Sequence, residues 1–149
     1  MDILLIDDET RPMSGVVELL RENNYVVEQI SSATRALQML QKNPTLCKLI
    51  VLDMMMPAEG EFDPEECEGG VRTGIVLLEK LRKIPEAQNI PVLAFTAYSK
   101  LQEALRGKVG KFLLKPARYD KIEAAIKELL EERNHQSNGD SHGTASIQT

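Results

Sequence analysis

The sequence predicts an α/β protein: one doubly wound parallel sheet built from five β/α units. Three observations lead there. Short apolar runs alternate with stretches whose apolar residues recur at helical spacing, which indicates parallel strands with helices on both faces. The runs Ile3–Ile6, Leu49–Leu52, Val92–Phe95 and Phe112–Leu114 are unbroken, as in buried strands. Each run then ends in a polar residue: Asp7-Asp8, Asp53, Thr96 and Lys115. Open sheets of this class bind ligands at the carboxyl edge of their strands, where these residues would gather.

The first strand spans about residues 2–6. A helix follows Thr10-Arg11-Pro12, with Thr10 the expected N-cap, Pro12 in the first turn, and Val16, Val17, Leu19 and Leu20 inside. The second strand is about 25–30. The second helix begins near Ser31-Ser32 and carries Ala33, Leu37 and Leu40 as its inner stripe. The third strand is 48–52, and the third helix is about 71–83, with Ile75, Leu78 and Leu81 repeating at helical spacing. The fourth strand is 91–95. The fourth helix, about 99–107, has Leu101 and Leu105. The fifth strand is about 111–114. The last helix runs from near Arg118 to about 133, with Ile122, Ala125, Ile126, Leu129 and Leu130 facing the core.

Right-handed crossovers leave few ways to join five such units. The expected layout is flavodoxin-like, with strand order 2-1-3-4-5. Strands one and three are then neighbours, and Asp7, Asp8 and Asp53 meet at the switch point. Two segments break the alternation. Residues 58–70 hold Glu59, Glu61, Asp63, Glu65, Glu66 and Glu68 and no basic residue; a charge run of this kind reads first as a solvated face. Residues 134–149, rich in Ser, Asn, Gly, His and Thr, lack apolar periodicity and read as a disordered tail.

Composition narrows the function. A chain of 149 residues favours one domain, and 42% hydrophobic residues suffice for a core. The net charge of −5 disfavours direct contact with nucleic acid, since phosphate contacts need clustered Lys and Arg. Trp is absent and aromatics are 4%, which removes base-stacking platforms. Cys47 and Cys67 form no C-x-x-C pattern, and His135 and His142 both lie in the tail, so a zinc site is not expected. The start lacks the basic segment and long apolar stretch of a signal peptide, and no run approaches a membrane span. The expected setting is the reducing cytoplasm.

Like charges packed at one sheet edge repel, and a fold tolerates this mainly when a cation sits between them. Carboxylates favour Mg²⁺ over soft metals, so Met54-Met55-Met56 reads as packing rather than copper ligation. Taken singly, Thr96 reads as a turn cap and Lys115 as a solvated strand-end lysine. Taken together, Ile6-Asp7-Asp8, Leu52-Asp53-Met54-Met55-Met56-Pro57, Phe95-Thr96-Ala97 and Leu114-Lys115-Pro116 closely resemble the receiver domain of two-component response regulators, over about residues 1–133. The resemblance implies that Asp53 is the phosphoacceptor. It implies that Asp7, Asp8, Asp53 and the main-chain carbonyl of Met55 hold Mg²⁺. Thr96 would bond a phosphoryl oxygen, Lys115 would pair with the phosphoryl group, and Pro116 would follow a cis peptide. Thr96 and Phe112 would be the switch residues.

The chain departs from that pattern in three places. About a dozen residues are inserted between Pro57 and Gly74, where relatives have a short turn. The Thr96-to-Lys115 stretch is shorter by roughly one helical turn. Phe112 stands where many relatives have Tyr, so any switching there would act by packing. The expected protein is a stand-alone signalling module, phosphorylated by a sensor histidine kinase or a phosphotransfer protein and read by an unknown downstream protein. Its only expected chemistry is Mg²⁺-dependent self-phosphorylation and autodephosphorylation. A receiver fragment of a larger regulator and an unphosphorylated receiver-like scaffold are the alternatives. An aspartate-based phosphatase would want a D-x-D pair, which Asp53-Met54-Met55 lacks. A flavin carrier would want a Ser, Thr and Gly-rich first loop where Asp7-Asp8-Glu9 stands.

Overall fold

Apolar strands of four or five residues form the centre of the protein, as seen in a computed structural model that describes the backbone of residues 1–141 and the side chains of residues 1–134. In chain order the elements are β1 (Ile3–Ile6), α1 (Thr10–Glu22), β2 (Val27–Ile30), α2 (Ala33–Lys42), β3 (Leu49–Leu52), α3 (Thr73–Leu81), β4 (Val92–Thr96), α4 (Leu101–Leu105), β5 (Lys111–Leu114) and α5 (Tyr119–Ser141). The sheet is parallel throughout, in the expected order β2-β1-β3-β4-β5.

Strand alternation divides the core in two. Leu4, Ile6, Ile50, Leu52, Val92 and Ala94 pack with α2, α3 and α4. Ile3, Leu5, Leu49, Val51, Leu93 and Phe95 pack with α1 and α5. Every residue of β1, β3 and β4 is buried, which is why their sequences show no polar alternation. The edge strand β5 is only partly covered.

Register places the carboxyl ends level. Ile6 pairs with both Ile30 and Leu52, and the ladder extends one bond further: Asp7 N–H donates to the Ile30 carbonyl and Asp53 N–H to the Ile6 carbonyl, both at 3.0 Å. Thr96 pairs with Leu114, and Lys115 N–H donates to the Thr96 carbonyl at 2.9 Å.

Several boundaries differ from expectation. Thr10 is the first helical residue of α1, not its cap. Glu9 occupies the cap position without a side-chain capping bond, and its own N–H is taken by Asp7 Oδ1 at 2.8 Å. α2 begins where expected, after Ser31-Ser32, and Ser32 caps it by accepting from the Arg35 N–H. α4 has only five residues, which accords with the shortened connection before β5. α5 continues through Ser141, past the end of its apolar stripe near residue 133; residues 142–149 of the expected disordered tail lie outside the described residues.

The acidic segment is the largest departure. It is a succession of turns ending in a 3-10 turn at Glu68–Gly70, and its carboxylates face outward while Phe62 and Cys67 are fully buried. Lys80 of α3 lies 5.8 Å from the Phe62 ring centre, and the Thr34 hydroxyl donates to the Glu59 carbonyl at 2.9 Å. The segment therefore covers α3, in which Thr73 to Leu78 are all buried. At Gly74 α3 approaches β3 so closely that an added Cβ would lie 2.6 Å from the Asp53 carbonyl oxygen and Met54 Cα.

Candidate functional site

Asp7, Asp8, Asp53, Thr96 and Lys115 lie at one edge of the sheet because their strands end in register. Asp7 and Asp53 are almost wholly buried, 2% and 4% exposed, so each needs a compensating partner. Lys115 provides it. Its Nζ lies 2.6 Å from Asp7 Oδ2, 3.5 Å from Asp53 Oδ2 and 3.8 Å from Glu9 Oε1. The same ammonium stands 5.5 Å from the centre of the Phe95 ring. The Lys115–Pro116 peptide is cis, as expected. Asp53 Oδ1 accepts from the Met55 N–H at 3.3 Å. Thr96, fully buried, accepts from the Tyr98 N–H at 3.4 Å.

Charge at the site is poorly compensated. Burial raises the Asp7 carboxyl above its usual range, although the Lys115 hydrogen bond and the Glu9 N–H oppose this. Burial likewise raises Asp53; Lys115 pulls it back, the Asp7 charge pushes it up further, and the Met55 amide and Thr96 hydroxyl lower it slightly. Burial alone would lower Lys115, but its bond to Asp7 and the charges of Asp53, Asp7 and Glu9 outweigh that and hold it above the usual lysine value. One ammonium thus faces three carboxylates, and a fourth, Asp8, is exposed beside them.

The donor set fits a hard cation. Asp7, Asp8 and Asp53 each offer an oxygen within 4.8 Å of the others. No thiolate or imidazole joins this cluster among the described residues. A cleft of about 300 Å³ opens beside it, lined by Asp8, Met55, Met56 and Pro57 on one side and Gly69, Gly70 and Val71 of the insertion on the other. This arrangement suits binding a divalent cation next to a phosphoryl oxygen at a buried carboxylate.

Sequence reasoning missed three contributors. Glu9 joins the Lys115 cluster, which its place after Asp7-Asp8 hinted at. Phe95 lies under Lys115, and no pattern in the sequence signals that. The insertion's glycines wall the cleft, a placement that depends on Phe62 and Cys67 being buried. Phe112 lies outside the pocket. In β5 it pairs with Ala94 of β4, on the same sheet face as Thr96, and packs half-buried against the α2–α3–α4 core.

Comparison with known proteins agrees with this geometry. Residues 3–127 match the response regulator receiver domain family. An uncharacterised 14.6 kDa protein from Leptolyngbya boryana is 31% identical over 119 residues, covering 78% of this chain and 79% of that one. The two-component response regulator ORR7 of rice is 26% identical over 132 residues, covering 87% of this chain; the chain spans only 56% of that protein's length. Among solved structures, the response regulator TrrA of Thermotoga maritima, in complex with Mg²⁺–BeF, superposes with a TM-score of 0.68 at 23% identity, covering 87% of this chain and 99% of that one.

Proposed function

The chain belongs to the response regulator receiver domain family, and on that premise we propose that Asp53 accepts a phosphoryl group from a sensor histidine kinase or a phosphotransfer protein. The observation that carries this reading is a buried carboxylate, Asp53, held at the end of a central strand with Lys115 3.5 Å away and two further carboxylates beside it. The resulting module, residues 1–133, is a phosphorylation-controlled binding partner for a downstream protein. Its expected setting is the cytoplasm; no described helix is long and apolar enough to cross a membrane.

In the transfer, an Asp53 carboxylate oxygen forms a bond to phosphorus as the donor's P–N bond breaks. The electron pair stays on the donor imidazole nitrogen, which takes up a proton. A carboxylate is a weak nucleophile, so the reaction depends on positioning and charge cover. Asp53 is fixed by its main-chain bond to Ile6 and by the Met55 N–H. Asp8, Asp53 and the Met55 carbonyl would hold Mg²⁺, with Asp7 contributing less directly because Lys115 occupies one of its oxygens. When bound, Mg²⁺ supplies positive charge for the phosphoryl oxygens. Lys115 moves from carboxylate to phosphoryl partner, and the Thr96 hydroxyl donates to a phosphoryl oxygen. The acyl phosphate adds about −1.5 to −2 charge, which resets both contacts.

Intact mass of the full chain, incubated with acetyl phosphate and Mg²⁺, tests this. One added phosphoryl group is expected, removed by hydroxylamine and absent in Asp53→Asn. Equal labelling of wild type and Asp53→Asn refutes it.

A further inference from the structure

The insertion does more than extend the surface, because its carboxyl end grips the segment that follows Asp53. Three main-chain carbonyls occur between Asp53 and Pro57. The Met54 carbonyl accepts from the Gly74 N–H at 2.9 Å. The Met56 carbonyl accepts from the Thr73 hydroxyl at 2.7 Å, and the Met56 N–H donates to the Gly70 carbonyl at 3.2 Å. The Met55 carbonyl between them accepts no hydrogen bond among the described residues. Met55 lines the cleft with Asp8, so the one carbonyl left free belongs to the residue at the cation site.

Thr73 is fully buried, so water does not compete for its hydroxyl bond. Gly70 has φ +107, and an added Cβ would lie 2.8 Å from the Met56 carbonyl oxygen, so the two segments are in direct contact. Phe62 and Cys67 anchor the other end of this brace in the core. We propose that Thr73, with Gly70, is a positioning residue for the cation site: it ties the Met56 peptide to the insertion and so holds the Met55 carbonyl beside Asp8 as a Mg²⁺ ligand. This rests on the reading of the Met55 carbonyl as a ligand.

The test is Mg²⁺ titration of the full chain by calorimetry, with apo and Mg²⁺-loaded melting temperatures measured in parallel. Thr73→Val keeps the shape and loses the hydroxyl; it should weaken Mg²⁺ binding by about 10-fold, the lower end of the usual effect of losing an outer-shell partner. Thr73→Ser restores the donor and should bind within about twofold of wild type. A purely structural role would lower the apo melting temperature without changing the affinity of the folded protein. Unchanged affinity in Thr73→Val, or equal weakening in Thr73→Ser, overturns the proposal. Should Thr73→Val not fold, Gly70→Ala strains the same brace; weakened binding supports the proposal and unchanged binding overturns it. A wild type that binds no Mg²⁺ would instead refute the cation reading itself, an outcome distinct from a binding wild type with unaffected variants.

Discussion

Asp53 is a carboxylate kept where it is least comfortable. Burial and the neighbouring Asp7 raise its pKa in the folded state, and the Lys115 ammonium offsets only part of that. The folded state therefore holds the Asp53 proton more tightly than the unfolded chain does. Linkage then makes this contribution favour folding at low pH, and it is lost as pH rises through the folded-state pKa. Asp53→Asn, a neutral isostere, removes the titration. With divalent cations chelated, its melting temperature should exceed that of wild type, and the gap should widen from about pH 4 to about pH 7. An effect of about 1 kcal/mol would appear as about 2–4 °C. A gap that narrows as pH rises contradicts the assignment. Asp7 titrates in the same direction and for the same first reason, burial, so it remains as background in both proteins.

The inserted segment behaves as part of the fold at the scale of the element. Its six acidic side chains are exposed, as their sequence suggested, yet Phe62 is 1% exposed and Cys67 is fully buried. Phe62→Ala should therefore cost about 3–5 kcal/mol in urea unfolding, as for other buried aromatics. Glu61→Ala, one residue away and exposed, should stay within about 0.5 kcal/mol of wild type. Similar small losses for both would show that the segment is only draped on the surface. The contrast matters for function because the same segment supplies Gly69 and Gly70 to the cleft beside Asp8 and leads directly into Thr73, which bonds the Met56 carbonyl. Shortening it would disturb the core and the site together.

The whole molecule links the site to one flank. Thr96 and Phe112 lie on one face of adjacent strands, β4 and β5, while Lys115 continues β5 into the site. β5 is an edge strand, half covered, and α4 has only five residues, the fewest of the described α-helices. Elements with few buried contacts respond most readily to a change in local hydrogen bonding. Amide exchange with and without Mg²⁺ and beryllofluoride should therefore change most near residues 96–118, on the flank formed by α4, β5 and the start of α5. Changes confined to α1 and α2 would refute this output surface. Phe112 lacks a hydroxyl, so a role for it in the response would have to act through packing; it lines one groove with Leu105 and Val109.

Much of the sheet was legible in the chain, and so were the polar residues that gather at its carboxyl edge. Short unbroken apolar runs alternating with helical patterns pointed to buried parallel strands, and a polar residue closing such a strand stands at the carboxyl edge. Crossover handedness left few layouts, and the flavodoxin-like order among them already brought Asp7, Asp8 and Asp53 together. Tertiary structure alone decided the rest. Glu9 rather than Thr10 holds the cap position of α1, and the Asp7 carboxylate takes the Glu9 N–H because the strand end reaches the helix start. Lys115 chose Asp7 over Asp53, at 2.6 against 3.5 Å, through side-chain packing that no spacing encodes. The acidic run concealed two core residues because charge dominates a short window, whereas burial depends on what lies opposite. Phe62, Cys67 and Thr73 acquire their roles only when α3 and β3 are brought together, since a contact across the fold is set by long-range packing and leaves no local period in the chain.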